Sequence, residues 1–145
     1  MARIWKTNPT VESLNGIHEG TACEHLGVEF TEVGDDYMIA RIPVDERTRQ
    51  PYGIIHGGVS MVLAETLGSC AGAACIDPAT QRVYGQEING NHLRPATEGY
   101  VTGTVRPIHI GRKSSVWSIE MRNDAGKMTC ISRMTMAVVD WPPTD

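Results

Sequence analysis

One stretch of the sequence, residues 57–76, is apolar on almost every face and contains a single charged side chain, Glu65. As a helix it would be about 30 Å long, and a helix without a polar face belongs in the interior of a fold. The stretch does not suit a membrane span, because it is dominated by Gly, Ala, Ser and Thr and belongs to a chain of mean hydropathy -0.22. The sequence therefore predicts an internal helix around which the rest of the chain folds.

Glu65 is expected to be buried with this helix. Removing an ionised carboxylate from water costs several kcal/mol unless it is paired, so such groups are typical of sites that perform chemistry. A structural glutamate paired with an arginine from another segment is the alternative. Ser69 follows Glu65 at i+4 on the same face, and Gly68 and Gly72 are expected to leave space alongside.

The start of the helix is the second candidate feature. Gly57 and Gly58 place two residues without side chains where backbone N–H groups lack partners and the helix dipole is positive. An oxyanion would fit there, although a pair of glycines also serves close packing alone.

Charge and length narrow the class of protein. The 145 residues fit one domain, and the net charge of -4 argues against nucleic acid as the partner. The segment 82–113 nevertheless carries five positive residues against two negative ones, a local charge of +3. A polyanionic ligand is therefore expected to bind a basic patch there.

The cysteines and histidines favour a cytoplasmic protein without a metal. No Cys-x-x-Cys pair occurs, the N-terminus shows no secretory signal, and the histidines lack ligand spacing. No membrane association is expected.

Hydrophobic periodicity and turn residues predict the remaining elements. Helical turns are expected at 10–15 and 21–26, and strands at 26–33, 36–44, 82–93, 99–110, 114–122 and 127–139, with an unstructured tail at 141–145. Consecutive strands with short turns imply an antiparallel sheet. The prediction is an α+β domain over residues 1–140, with about five to six strands wrapped around one long central helix. Because one helix cannot cover every edge of such a sheet, at least a dimer is expected.

Several short motifs follow one another along the chain: Arg-Gln-Pro-Tyr-Gly at 49–53, His-Gly-Gly at 56–58 and Ala-Glu-Thr-Leu-Gly-Ser at 64–69. Further segments at 4–6, 34–36, 43–45, 85–89, 91–92 and 107–111 continue the pattern. In order, they resemble the hotdog-fold acyl-CoA thioesterases. The closest branch holds the Glu-type 4-hydroxybenzoyl-CoA, the 1,4-dihydroxy-2-naphthoyl-CoA and the enterobactin proofreading thioesterases.

The resemblance covers nearly the whole chain. It implies a hotdog fold and hydrolysis of aromatic or medium-chain acyl thioesters of CoA or of a carrier protein. It also implies a homotetramer built as a dimer of dimers. CoA is part of the substrate, so no separate cofactor is expected.

The resemblance also implies roles for individual residues. Glu65 acts on the thioester carbonyl as nucleophile or as base for water, and the Gly57 N–H polarises that carbonyl. Gln50 positions the carboxylate or the acyl group, His56 orients the thioester, and Ser69 lies near the attacking water or the leaving thiol. Because the family brings these groups together across a dimer interface, neither subunit is expected to hold a complete site.

The CoA contacts are implied on three segments. Since CoA carries a pyrophosphate and a 3′-phosphate, Arg94, Arg112 and Lys113 are the expected phosphate contacts. The full implied set is Gly85, His92, Leu93, Arg94, Pro95, His109, Ile110, Gly111, Arg112, Lys113 and Ser114.

The sequence departs from the family in two places, and two other functions stay open. Gly90 stands where relatives often carry Ala, and residues 140–145 extend beyond the usual end. One alternative is a hotdog-fold hydratase or dehydratase, but those enzymes lack this His-Gly-Gly to Glu spacing. The other is a non-catalytic acyl-CoA binding protein, against which the joint presence of Gln50, Gly57 and Glu65 argues.

Overall fold

The computed structural model describes residues 2–143. A six-stranded antiparallel sheet curls around one long helix, which confirms the predicted α+β fold. In chain order the elements are α1 (Val11–Gly16), α2 (Ala22–Leu26), β1 (Glu29–Val33), β2 (Met38–Pro43), α3 (Gly57–Ala74), β3 (Gln81–His92), β4 (Tyr100–Ile110), β5 (Ser114–Arg122) and β6 (Met128–Asp140).

Local sequence signals fix the element ends. Thr10 and Ser13 form a capping box that starts α1, since each side chain accepts a hydrogen bond from the other's backbone N–H. Gly27 ends α2 in the left-handed conformation, with a φ of 82°. Strand β1 therefore begins at Glu29, three residues later than predicted.

Helix α3 lies across the concave face of the sheet and forms the centre of the core. Leu63 and Leu67 have no exposed surface and pack above Gly103 of β4. Trp117 and Ile119 of β5 are equally buried. No helix within residues 2–143 is both long and apolar enough to cross a membrane.

The glycines of α3 do not serve the purpose predicted from the sequence. Gly68 lies against Met134, and Gly72 lies against Met136 and Trp117, so both are buried under the sheet. Their missing side chains let the helix approach the strands. The predicted open space beside Glu65 and Ser69 is therefore wrong, because Met134 and Met136 of β6 fill the space next to the two glycines.

The two edges of the sheet differ in whether their backbone groups are covered. The strand order is β1-β2-β4-β5-β6-β3, which leaves β1 and β3 at the edges. Asn15 covers the β1 edge: its amide donates to the Phe30 carbonyl at 3.1 Å and accepts from the Phe30 N–H at 2.8 Å. Strand β3 pairs only with β6 among the described strands, and most of its 12 residues are exposed. The β3 edge is thus a long, open pairing surface.

The chain end is more ordered than predicted as far as it is described. Trp141 donates its backbone N–H to the Thr80 carbonyl at 2.8 Å, and the Arg82 guanidinium lies 4.9 Å from its ring centroid. The unstructured tail predicted from residue 141 is therefore wrong at Trp141. Residues 144–145 of that tail lie outside the described residues.

Candidate active site

Three of the four backbone N–H groups in the first turn of α3 have a hydrogen-bond acceptor, and the fourth has none among the described residues. His56 is the N-cap, and its Nδ1 accepts a hydrogen bond from the Gly58 N–H at 2.9 Å. The His56 carbonyl accepts from Val59 and Ser60. The Gly57 N–H has no acceptor among the described residues, so it is the donor left for a ligand.

The cap also determines which tautomer the neutral His56 ring adopts. Because Nδ1 accepts a hydrogen bond, the neutral imidazole carries its proton on Nε2, which is left to donate outward. The exposed His56 side chain thus has a structural role at the helix start and a free donor beside it.

A cavity of about 440 Å³ opens at this helix start. We call it the Gly57 cavity. It joins residues that the sequence predicted separately, from the loop before α3 and from the segment after β3. The predicted site residues in its wall are Gln50, Gly57, His92, Leu93, Arg94 and Pro95.

His92 and Gln50 are held close to the free donor. A Cβ atom built on Gly57 would lie 3.0 Å from His92 Nε2, so the imidazole rests closely against the backbone of Gly57. Gln50 opens a tight turn in which its carbonyl accepts from the Gly53 N–H, and its Oε1 accepts from the Tyr52 N–H. Gly53 has a φ of 80°, which favours glycine at that position.

Arg94 lies at the rim of the Gly57 cavity. It donates from Nη1 to the Met128 carbonyl at 3.1 Å. Its side chain is exposed, and it forms no salt bridge with any described carboxylate. A cation without an acidic partner at a cavity rim suits an anionic ligand.

Glu65 lies on a different surface of the same helix. It is half-buried and borders a shallow depression with Gly58, Met61, Val62 and Thr66. Full burial was expected and is wrong for the single chain, because Glu65 lies beside the edge strand β3, at the margin of the part of α3 that the sheet covers.

The Glu65 carboxylate rests against strand β3. A Cβ atom built on Gly85 would overlap Glu65 Oε1 and would lie 2.9 Å from Met134 Cε. Within residues 2–143, no Lys or Arg forms a salt bridge with Glu65. The alternative of a structural Glu paired with an Arg therefore lacks support in the chain.

The free donor and the carboxylate cannot meet within one chain. Glu65 lies eight positions after Gly57 in a continuous helix, which corresponds to roughly 12 Å along the axis. The carbonyl oxygen and the carbonyl carbon of a thioester, which these two groups would contact, are only one bond apart. One chain therefore presents two half-sites that face different directions.

Ser69 belongs to neither half-site. It is half-buried and lies at one end of a groove of about 680 Å³ that runs along the later turns of α3. Ser69 thus lines this groove one helical turn beyond Glu65.

The predicted CoA segments lie at opposite ends of the sheet. His92 is paired with Cys130 of β6, whereas Ser114 is paired with Ala137. Seven residues of extended strand correspond to about 23 Å. Segment 92–95 and segment 109–114 therefore do not form one surface in a single chain.

Within a single chain the predicted basic patch is divided for the same reason, and two of its cations are engaged elsewhere. Arg82 donates to the Pro78 and Gln81 carbonyls. Arg106 forms a salt bridge of 3.0 Å with Asp36. Antiparallel strands carry consecutive charges to distant positions, so the local sum of +3 along the sequence has no counterpart in space.

The buried thiols are not candidate nucleophiles. Burial raises the pKa of Cys70 to about 12 and that of Cys75 to about 11, so both stay protonated near neutral pH. All four cysteines are free. Among residues 2–143, no three His, Cys, Asp or Glu side chains lie close enough to hold a metal ion.

Sequence reasoning missed part of the Gly57 cavity. Ser60 lies one turn after Gly57, so helical periodicity could have found it. Thr129 reaches the cavity from β6, and its carbonyl accepts from the Leu93 and Arg94 N–H groups. No local pattern joins Thr129 to residues some 35 positions earlier in the chain.

Comparison with known proteins identifies the family of the chain. The model of the Thioesterase superfamily matches residues 52–130, more than half of the chain. The chain belongs to the thioesterase superfamily. It is therefore a thioester hydrolase with a hotdog fold, as the sequence resemblance implied.

Relatives match over nearly their whole length. A 1,4-dihydroxy-2-naphthoyl-CoA hydrolase from Escherichia coli is 46% identical over 136 residues, which is 94% of this chain and 99% of the relative. The proofreading thioesterase EntH of Cronobacter turicensis is also 46% identical, over 94% of this chain and 98% of its own. A crystal structure of a mutant thioesterase from Pseudomonas aeruginosa superposes with a TM-score of 0.93 at 44% identity, covering 94% of this chain and 99% of that one.

The contact between Gly85 and Glu65 yields a first prediction. Replacing Gly85 with Ala forces the carboxylate to move, so kcat for thioester hydrolysis should fall roughly 10- to 100-fold. The fold should persist, because the displaced group is the end of a flexible side chain. Gly16→Ala is the matched control, since a Cβ atom there meets nothing within 4 Å. Thiol release measures kcat, and an unchanged kcat in Gly85→Ala would contradict the position assigned to Glu65.

Proposed function

We propose that this thioester hydrolase cleaves acyl-CoA substrates at a site shared by two chains. Glu65 of one chain acts on the thioester carbon, either as the nucleophile or as the base that takes a proton from water. In the first case an anhydride between Glu65 and the acyl group replaces the C–S bond and water then hydrolyses it; in the second case the hydroxyl of water replaces that bond directly. In both cases the free acid forms, and CoA leaves as the thiol with a proton that comes from water. The observation that carries this proposal is the separation of Gly57 from Glu65 on one helix.

The Gly57 N–H of the second chain is proposed as the donor to the thioester oxygen. It is supported by the missing acceptor at Gly57, while the neighbouring N–H groups are taken by His56. A fixed donor aimed at developing negative charge lowers the barrier by roughly 3 kcal/mol. Gln50 lines the same cavity and positions the reacting groups, and the outward Nε2–H of His56 orients the thioester.

The second chain is proposed to pair along the open β3 edge. Two equivalent edges can pair about a two-fold axis, so that each chain extends the other's sheet. The outer face of α3 lies beside this edge, since Met61 approaches Gly90 and Glu65 approaches Gly85. A two-fold axis perpendicular to α3 makes the two α3 helices antiparallel. The first turn of one helix then comes alongside the later turns of the other.

The same pairing would unite the two CoA segments. Antiparallel β3 edges bring the His92 end of one strand beside the Gln81 end of the other. The Gln81 end lies near segment 109–114, because β6 joins both through Asp140 and Ala137. Arg94 of one chain and Arg112 and Lys113 of the other are proposed to bind the CoA phosphates. Gly85 and the rest of both segments are proposed as further contacts along the pantetheine arm.

The relatives support the substrate class. One is named as a hydrolase of an aromatic CoA thioester and another as a proofreading thioesterase. We propose aromatic or medium-chain acyl groups, with CoA as carrier and no cofactor beyond it. Two such dimers are proposed to form the tetramer implied by the resemblance. The four free thiols support a reducing location, for which we propose the cytoplasm.

The role of Glu65 is tested by Glu65→Gln. The substitution keeps the shape of the side chain and removes its charge, so kcat should fall at least about 100-fold. The fold and the oligomeric state should not change. Glu12→Gln, at an exposed position on α1, is the matched control. The assay is release of free thiol from benzoyl-CoA, and a Glu65→Gln protein within about tenfold of wild type would refute the assignment.

The shared site is tested by mixing Glu65→Gln chains with Gln50→Ala chains through unfolding and joint refolding. Each variant alone should be nearly inactive. Half of randomly formed dimers are hybrids with one intact site each, so recovery to roughly a quarter of wild-type activity is expected.

The matched control carries both substitutions in one chain and is refolded with wild type. Such hybrids contain no intact shared site, so activity should drop with the hybrid fraction. If the first mixture forms hybrid dimers by mass and stays inactive, Gln50 and Glu65 do not come from different chains.

A further inference from the structure

The groove that begins at Ser69 has no role in the site described so far. It lies between α1 with its preceding segment and the second half of α3, and we call it the α1 groove. Its volume of about 680 Å³ lies within the range of small-molecule pockets. Its walls include Leu14 from α1, His18 from the turn just after α1, Cys70 and Ala73 from α3, and Val83 from β3.

Two separate elements lead from Glu65 into the α1 groove. On α3, Ser69 follows Glu65 by four residues and therefore lies one turn further along the same face. On β3, Val83 precedes Gly85 by two residues and faces the same side of the strand. Since Glu65 rests on Gly85, Ser69 and Val83 form the end of the groove nearest to its carboxylate.

The α1 groove suits an apolar group of limited size. Ser69, Cys70 and Ala73 present small side chains to it from α3. Ala73 lies eight residues beyond Glu65, which gives roughly 12 Å of groove along the helix axis. An aromatic ring system or a medium alkyl chain fits this length.

Most polar side chains around the α1 groove already have partners. Thr7 Oγ1 donates to the Ala74 carbonyl, Asn8 Oδ1 accepts from Arg3, and Ser13 Oγ donates to the Thr10 carbonyl. His18 differs, because the only partner of its ring among the described residues is the Cys70 thiol, at 3.6 Å from Nε2. A thiol is a weak hydrogen-bonding group.

The His18 ring is held in place and uncharged. It stacks on Phe30 with 5.8 Å between ring centroids and 5° between planes. Burial lowers the pKa of His18, so the imidazole is neutral near pH 7. A neutral imidazole both donates and accepts hydrogen bonds and can therefore recognise a hydroxyl or a carbonyl group.

The position of His18 along the groove determines which part of a bound acyl group its imidazole can contact. Its Nε2 contacts Cys70, which lies five residues beyond Glu65, or roughly 7.5 Å further along the helix axis and about 140° around it. A thioester carbon beside Glu65 thus leaves space for one six-membered ring before the imidazole.

We propose that the α1 groove holds the acyl group and that His18 determines specificity. It favours acyl groups that carry a hydrogen-bonding substituent one ring's length from the thioester carbon. This inference rests on the proposed function, because it takes Glu65 as the reacting end of the groove. A plain hydrocarbon ring leaves the imidazole without a strong partner and is therefore disfavoured.

The test compares two non-hydrolysable thioethers, phenacyl-CoA and 4-hydroxyphenacyl-CoA, by calorimetric binding to the full-length protein. The wild type should bind the hydroxylated compound about tenfold more tightly. His18→Leu should bring the ratio of the two Kd values to near one, and His18→Gln should retain part of the preference. His25→Leu, at an exposed position on the neighbouring helix α2, is the matched control and should keep the wild-type ratio.

The ratio is measured within one protein, so it does not depend on the folded fraction of a variant. No preference in the wild type, or the same preference in wild type and His18→Leu, overturns the role of His18. Hydrolysis of benzoyl-CoA is followed in parallel. Failure of the wild type to hydrolyse it would contradict the proposed function, whereas an unaltered preference contradicts the inference about His18 alone.

Discussion

The continuous helix from Gly57 to Ala74 is the constraint on which the account of the site depends. It carries a free N–H donor at its start and a carboxylate two turns later, and the helical rise fixes the two roughly 12 Å apart. No adjustment of side chains closes that distance. A thioester can contact both groups only if they come from different chains.

The rest of the molecule is arranged consistently with that requirement. Asn15 closes the β1 edge of the sheet, while the β3 edge next to Glu65 stays open over 12 residues. The sheet buries only one side of α3 and leaves Glu65 half-exposed. A central helix with one face left uncovered in the single chain suits a fold whose site is completed by a second copy of the chain.

The sequence was sufficient for the order of the elements but not for which side of α3 faces the sheet. Alternation and turn residues predict every strand within three residues of its observed ends, because these signals are local. In α3, small residues lie on both faces and polar residues are few, so periodicity does not show that Gly68 and Gly72 face Met134 and Met136. The expected burial of Glu65 was wrong for the same reason.

Contacts that depend on how the strands pair could not be predicted from local sequence patterns either. The basic residues of segment 82–113 lie close in sequence, but alternate strands carry them to opposite ends of β6 or into contacts such as that of Arg106 with Asp36. His18 reaches the α1 groove because Asn15 fixes α1 to β1 through Phe30. No spacing in the sequence links it to Glu65, some 47 positions away.

The most direct test is a crystal structure of the Glu65→Gln protein with benzoyl-CoA bound. The account predicts that the thioester oxygen accepts from the Gly57 N–H of one chain while residue 65 of the other chain faces the carbonyl carbon. A thioester held by Gly57 and residue 65 of the same chain would contradict it. So would a thioester bound away from both residues.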